Sequence, residues 1–249
     1  MSRIAVIGGT GLNAIAGAVR PISGTDTPYG PASSALQQGE LGAHEVVFLA
    51  RHGQPHRIAP HAINYRANMW LLKQAGVEAV LAVNAVGGIH AAFAPGVIVI
   101  PHQLIDYTWG RESSFSDATQ LLHVDFTYPS HQAWRSRLAT AASAASAALT
   151  DGERVYDFGV YACTQGPRLE SAGEIERLAR DGCDLVGMTA MPEAVLAREL
   201  GLPYAAVCLV VNAAAGRGTG LITHSEIEAV ISAGMARVET LLARVIGGL

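Results

Sequence analysis

Lysine is almost missing from this chain: Lys73 is the only one, and the remaining basic side chains are arginines. Only 15% of residues are charged and the formal net charge is −4, so the basic surplus of a nucleic-acid scaffold is absent and no nucleic-acid partner is expected. Cysteine is scarce as well. Cys163, Cys183 and Cys208 are odd in number and contain no C-x-x-C spacing, which argues against a zinc site and a disulfide framework. Each lies in or beside an apolar run and reads as a small buried thiol in a reducing compartment. Long apolar runs are lacking too, because Asn84, Gly87, His90 and Pro95 interrupt the candidates for a membrane span. The opening segment Ser2-Arg3-Ile4-Ala5-Val6-Ile7-Gly8-Gly9 is too short and glycine-broken to read as a signal peptide. A soluble cytoplasmic protein without a membrane partner is the expectation.

What is present is hydrophobic mass. Half of the 249 residues are hydrophobic, enough for a substantial core and about the size of one large α/β domain spanning 1–249. Short Val/Ile/Leu/Ala runs at 4–7, 45–50, 79–83, 97–100, 155–162, 185–187 and 204–211 suit strands covered on both faces. Segments 64–75 and 132–149 read as helices. Ser171-x-x-Glu174 is a capping box opening a helix to about Asp181, and Thr223-x-x-Glu226 caps a long C-terminal one. Pro192 suits a first helical position, and Gly201 ends that helix. There is no internal repeat and no linker. Segments 13–43 and 102–130 read as irregular, places for lids or subunit contacts. The expected fold is a single α/β domain with a central mixed, largely parallel β-sheet flanked by helices.

The polar residues that interrupt the apolar runs carry the chemistry. Thr164-Gln165-Gly166-Pro167-Arg168-Leu169-Glu170, Gly187-Met188-Thr189-Ala190-Met191-Pro192-Glu193 and Val210-Val211-Asn212 lie at or near the ends of apolar runs, where an α/β sheet places its binding loops. Glu170 and Asn212 form a hydrogen-bonding pair suited to a planar heterocycle, and Thr189, before a proline-initiated helix, suits an anion. Gly8-Gly9-Thr10-Gly11-Leu12 follows the first strand, where glycines let amides turn toward an oxyanion. The same loop fits a loose dinucleotide fingerprint, Gly9-x-Gly11-x-x-Ala14, or a plain turn; against the dinucleotide, 13–30 shows no second strand ending in a ribose-binding acid. Arg51-His52-Gly53 ends the second strand: arginine offers phosphate a bidentate charged contact and histidine a further donor. His56 and His61 lie close behind, but with no Cys or carboxylate at ligand spacing a metal is not expected. Asn84-Ala85-Val86-Gly87-Gly88 again follows a buried strand and reads either as a third anion-suited loop, with glycines permitting close approach and Asn84 orienting the turn, or as a structural turn. Met188 reads either as a core residue or as a thioether packed on a sugar face. Glu193 fits the helix N-terminus or ribose hydroxyls.

Taken in order along nearly the whole chain, Gly8-Gly9-Thr10-Gly11, Arg51-His52-Gly53, Asn64-Tyr65, Asn84-Ala85, Gly166-Pro167-Arg168, Met188-Thr189 and Pro192-Glu193 resemble the trimeric purine nucleoside phosphorylase and methylthioadenosine phosphorylase family. The resemblance implies a homotrimer that cleaves a nucleoside N-glycosidic bond with inorganic phosphate as co-substrate and no other cofactor. It places phosphate on Thr10, Arg51, His52, Ala85 and Thr189. The nucleoside is placed against Met188, Leu169 and Ala214, with Glu170 and Asn212 on the base and His224 at the ribose 5′ end. His123 is similar to a residue lent by a neighbouring subunit.

The base pocket departs from the methylthioadenosine branch, which typically has Asp-x-Asp where this chain has Asn212-Ala213-Ala214, and a small polar residue at the place of Glu170. Glu and Asn match the members that use 6-oxopurines. Physics agrees. Hypoxanthine carries a proton on N1 that an ionised Glu170 accepts, whereas adenine presents a lone pair there. That mismatch costs at least about 1–3 kcal/mol, and polar mismatches of this kind discriminate by roughly 10⁴–10⁵. Inosine, guanosine and S-methyl-5′-thioinosine all remain open as substrates, with a methylthioadenosine phosphorylase, a dinucleotide-dependent oxidoreductase and a non-catalytic nucleoside-binding module as alternatives.

Overall fold

Three apolar runs whose Val, Ile, Leu and Ala side chains are buried on both faces form the centre of the sheet. In the computed structural model, residues 2–12, 20–41, 43–146 and 154–249 are described, with backbone alone for 144–146. Strand β1 (Arg3–Gly8) lies parallel between β4 (His44–Ala50) and β5 (Ala79–Gly88). Strand β11 (Tyr204–Ala213) runs parallel to β5 along nearly its whole length. Among the described residues, shorter strands extend the sheet to eleven: β2 (Arg20–Pro21) and β3 (Gln37–Leu41) beyond β4, β6 (Ile98–Val99) and β8 (Val155–Tyr156) beyond β11. Strands β10 (Leu185–Gly187), β9 (Val160–Cys163) and β7 (Gln103–Asp106) continue from the end of β5. The sheet is mixed, with antiparallel pairs at β2/β3, β3/β4, β5/β10 and β6/β11.

Helices cover both faces. Helices α1 (Tyr65–Gln74) and α4 (Ala190–Glu199) bury Met69, Leu72, Ala194 and Leu196 against Ala5, Ile7, Val80 and Ala82. On the other face, α2 (Gln132–Ser146) and α5 (His224–Gly247) place Leu138, Val238, Leu242 and Ile246 on Ile4, Val6, Leu81 and Val207. Each such fully buried aliphatic side chain contributes about 1.5–3 kcal/mol. Helix α3 (Ala172–Arg180) packs Ile175 and Leu178 over Ala162 and Val186. Both expected capping boxes form, at Ser171/Glu174 and Thr223/Glu226. Met191 has non-helical φ/ψ, so the regular part of α4 starts at Pro192 as the sequence suggests.

Two expectations need correction. The run 155–162 is two strands, not one. Gly159, at φ 142°, separates Val155–Tyr156, which pairs with β6, from Val160–Cys163, which pairs with β7 and β10. The segments taken as irregular contain β2, β3 and β7; Gln37, Gln38 and Glu40 make β3 too polar to show an apolar pattern. Ala14 of the glycine fingerprint and 147–149 of the expected second helix lie outside the described residues. Among the described residues no helix is long and apolar enough to cross a membrane.

One topological detail positions the site. Strand β11 occupies one edge of β5, so β1 and β10 share the other, pairing with Ala79–Ala82 and with Gly87 and Gly88 respectively. Between them, at 83–86, that edge of β5 has no strand partner among the described residues. The sheet opens there, at the carboxyl end of β1, where α/β folds bind ligands.

Candidate active site

The opening is lined from all sides by residues singled out in the sequence. Gly9, Thr10, Arg51, His52, Ala85 and Thr189 surround one end, and Leu169, Glu170, Met188, Asn212 and Ala214 the other. The expected phosphate and base residues thus share one cleft.

The strand end before Thr10 is built around Arg51. A Cβ on Gly9 would lie 2.5 Å from the Val83 carbonyl oxygen and 2.9 Å from Arg51 Nη1, so only glycine lets the loop close over the guanidinium. Arg51 is fully buried, and its fork is already engaged. Nε and Nη2 donate to Glu193 Oε2 and Oε1, each at 2.8 Å, and Nη1 donates to the Val83 carbonyl at 2.8 Å. The fork expected to face an anion is thus partly engaged inside the protein: three of its five N–H groups are committed, leaving one on each terminal nitrogen. Burial alone would weaken its hold on a proton, but Glu193 beside it outweighs burial and raises the pKa. Glu193 also accepts from Tyr204 Oη at 2.9 Å. Both carboxylate oxygens are thereby occupied inside the protein, so Glu193 is an internal counterion rather than a ribose ligand.

His52 differs from expectation in the same spirit. Its Nδ1 lies 2.8 Å from the Ile58 carbonyl, which only accepts, so the ring proton resides on Nδ1. Burial, and then the charge of Arg51, lowers its pKa from 6.5 to about 4. The ring is neutral at pH 7, stacked on His56 with centroids 4.4 Å apart, and offers an Nε2 lone pair. It is an acceptor toward the cleft rather than the donor anticipated.

Thr189 precedes α4, yet its side chain does not cap the helix. The hydroxyl donates instead to Asn84 Oδ1 at 2.9 Å, so Asn84 orients a side chain 105 residues away rather than only its own turn. The first turn of α4 thus begins beside the cleft without a side-chain cap among the described residues, but Met191 N–H is taken by Cys163 Sγ at 3.2 Å and Pro192 carries no N–H, so an anion meets mainly the helix dipole there.

At the opposite end, the register of β11 on β5 shifts between Val210 and Asn212, which pair with Val86 and Gly87. This bulge inserts Val211 as an extra residue and re-aims the strand where Asn212 lies. Asn212 Nδ2 donates to the Ala213 carbonyl at 2.8 Å, leaving its second N–H and its Oδ1 for a ligand. Gly166 holds φ 62°, and a Cβ there would fall 2.5 Å from Met188 Sδ, so the Gly-Pro-Arg motif makes room for the thioether beside the cleft. Glu170 accepts from Thr164 Oγ1 at 2.6 Å.

His224 is not brought to the cleft. Its side chain is 83% exposed, with Nε2 3.7 Å from Glu228 one turn on; Ile222 and Ile227 line the cleft from this segment instead. His123 is exposed and does not line it. Arg168 is also exposed, forked onto Glu174 at 2.7 and 2.8 Å. Among the described residues no group of His, Cys, Asp or Glu is arranged to hold a metal ion.

Arg111 went unread in the sequence, since a lone arginine in an irregular segment carries no local signal. Its guanidinium donates to the carbonyls of Met188 (2.8 Å), Met191 (2.6 Å) and Gln165 (2.9 Å) and to Tyr65 Oη (3.1 Å). It ties the loop leading to Glu170 to the loop bearing Met188 and Thr189.

Residues 3–247 match the sequence model of the Phosphorylase superfamily. A protein named probable S-methyl-5′-thioinosine phosphorylase, from Pseudomonas syringae pv. tomato, is 54% identical over 249 residues, 99% of each chain. The 6-oxopurine nucleoside phosphorylase of Pyrococcus furiosus is 43% identical, over 91% of this chain and 85% of its own. Among solved structures, methylthioadenosine phosphorylase from Schistosoma mansoni in complex with adenine is similar with a TM-score of 0.88 at 30% identity, over 99% of this chain and 91% of that one.

Proposed function

The chain belongs to the phosphorylase superfamily, and from that premise we propose that it cleaves the N-glycosidic bond of 6-oxopurine nucleosides with inorganic phosphate, releasing the purine and a ribose 1-phosphate. It is a pentosyltransferase of purine salvage. The observation that carries the reading is the meeting of Glu170 and Asn212 with Thr10, His52 and Thr189 along one cleft. Glu170 accepts the N1 proton that 6-oxopurines carry and 6-aminopurines lack. The names of the relatives from Pseudomonas syringae and Pyrococcus furiosus support the same base class.

Phosphate sits at the end formed by Thr10, Ala85 and Thr189, near the remaining N–H groups of Arg51. His52 Nε2 accepts from the P–O–H of monohydrogen phosphate. Because Glu193 neutralises Arg51, the site holds the anion largely through hydrogen bonds and the α4 N-terminus. As the glycosidic bond stretches, positive charge grows on the sugar and negative charge on the purine. Phosphate stabilises the first and Asn212, hydrogen-bonded at N7/O6, the second, so positioning and fixed dipoles supply the rate. Phosphate is the co-substrate and the chemistry invokes no other cofactor. Leu169 and Ala214 pack on the base and Met188 on the ribose.

The 5′ end separates inosine from its methylthio analogue. With His224 turned to solvent and Ile222, Ile227 and Pro60 lining the cleft, the surroundings are apolar and suit a 5′-methylthio group. S-methyl-5′-thioinosine is therefore the preferred substrate, and the 54% identical relative bears that name. The assembly is a homotrimer, which the exposed Trp109, Leu121 and Tyr128 support as candidate contact residues.

The test incubates S-methyl-5′-thioinosine, inosine, guanosine and methylthioadenosine with and without phosphate, following free base by chromatography. Fastest phosphate-dependent release of hypoxanthine from S-methyl-5′-thioinosine is expected, and Asn212→Asp with Glu170→Ser shifts preference toward 6-aminopurines. Faster release of adenine by the unmodified enzyme, or release independent of phosphate, overturns the assignment. Light scattering of the purified protein reads the trimer.

A further inference from the structure

We propose that Thr164 is a positioning residue that sets base specificity by holding the Glu170 carboxylate toward the purine. The inference deepens the 6-oxopurine reading and rests on it. Thr164 Oγ1 lies 2.6 Å from Glu170 Oε1 and 3.3 Å from the Gly187 carbonyl oxygen. A hydroxyl has one proton, and the shorter contact, in the range typical of O–H···O⁻ bonds, takes it.

The hydroxyl starts from a fixed backbone. Thr164 N–H donates to the Gly187 carbonyl at 2.8 Å, and Arg111 Nη2 donates to the Thr164 carbonyl at 3.3 Å. The branched side chain is itself stiff about χ1. Glu170 has no such restraint of its own. It is half-buried on the loop before α3 and lines two cavities at once: the active cleft and a neighbouring one of about 540 Å³, which Arg168 also lines. Packing leaves its carboxylate room to swing away from the base, toward that arginine. Among the described residues Thr164 is the donor that reaches the carboxylate. With Oε1 so occupied, Oε2 remains to accept one N–H, which a 6-oxopurine supplies at N1 and a 6-aminopurine does not. Without the hydroxyl, the carboxylate leaves the base edge and the distinction between the two bases fades.

The experiment compares wild type, Thr164→Val and Thr164→Ser with S-methyl-5′-thioinosine and methylthioadenosine, measuring kcat and KM for each nucleoside and KM for phosphate. Loss of a hydrogen bond to a charged group predicts a fall in 6-oxopurine kcat/KM of roughly 10–100-fold in Thr164→Val. The preference over the 6-aminopurine falls by a similar factor, phosphate KM is unchanged, and Thr164→Ser restores the preference. Titration with hypoxanthine and adenine reads the same change without turnover. Should Thr164→Val fail to fold, the pair Thr164→Ser and Thr164→Ala, alike in size and differing in the hydroxyl, decides the matter. Equal losses on both bases, an unchanged preference, or failure of serine to restore it overturns the role of Thr164 while leaving the 6-oxopurine reading intact. Absence of phosphate-dependent hypoxanthine release by the wild type overturns both.

Discussion

Glu193→Gln tests the interior half of the proposed phosphate end. The substitution keeps shape and removes one charge from a pair whose side chains are 0% and 1% exposed. In the native protein Oε2 accepts from Arg51 Nε, and Oε1 accepts from both Arg51 Nη2 and Tyr204 Oη. A glutamine has one oxygen for these donors. Its amide N–H₂ would face Nε–H or Nη2–H at the former 2.8 Å spacing, while the guanidinium stays charged and dry. Breaking a buried pair from one side costs about 3–5 kcal/mol. For a chain of this size each kcal/mol lowers Tm by roughly 2–4 °C, so a fall of roughly 6–20 °C is expected. Phosphate supplies the missing counterion in the variant, so its addition raises Tm more there than in the wild type, by mass action on the folded state. Urea unfolding and thermal melts, each with and without phosphate, provide the readout. A loss below about 1 kcal/mol would refute the idea that Glu193 neutralises a desolvated Arg51, and an equal phosphate effect in both proteins would refute its link to anion binding.

Acidification gives a second prediction with a defined sign. Above pH 6.5 His52 is neutral in both states; between 6.5 and about 4 the unfolded chain takes up a proton that the folded one resists. Stability therefore falls as pH drops through that window, by roughly 3 kcal/mol in all, and urea titrations of His52→Asn should show a flatter slope there. The Glu174 carboxyl, lowered to about 2 chiefly by its bond to Arg168, acts only at lower pH, below 4.5. Arg111→Lys has too few donors to serve both loops, and kcat/KM should drop by roughly 10²-fold through misplacement of Thr189 and Glu170; activity within threefold of wild type would remove Arg111 from the positioning scheme. Gly9→Ala places a methyl 2.9 Å from Arg51 Nη1, and the overpacking should cost about 1–3 kcal/mol in thermal unfolding and raise phosphate KM.

Local chemistry was readable in the sequence wherever one segment held the whole signal. Both capping boxes, the start of the regular helix at Pro192 and the buried central strands rest on side chains a few residues apart, and they form as read. The cleft was legible because its residues sit at the ends of apolar runs, which the sheet brings together. Partnerships across the fold were not. Arg51 and Glu193 are 142 residues apart, so an arginine at a strand end looked free when its fork was already engaged. The acceptor role of His52 depends on a carbonyl six residues on, and no composition rule reveals it. Asn212 sits at a bulge that apolar alternation does not announce, and Arg111 acts almost wholly on backbone oxygens, which every sequence has.

The shared strand at the opening acts as a ruler. Ala85, at the proposed anion end, and Gly87, on which Asn212 rests with its amide nitrogen 3.3 Å from where a Cβ would be, belong to the same ten-residue element. Two steps along such a strand span about 6.6 Å, a separation set by backbone pairing with β11 rather than by any replaceable side chain. Under the proposed roles, nucleobase choice can change by exchanging residues at 170 and 212 while the oxyanion end keeps its distance from the leaving group. On that reading, an enzyme with this spacing can change what it cuts off without relearning how it cuts.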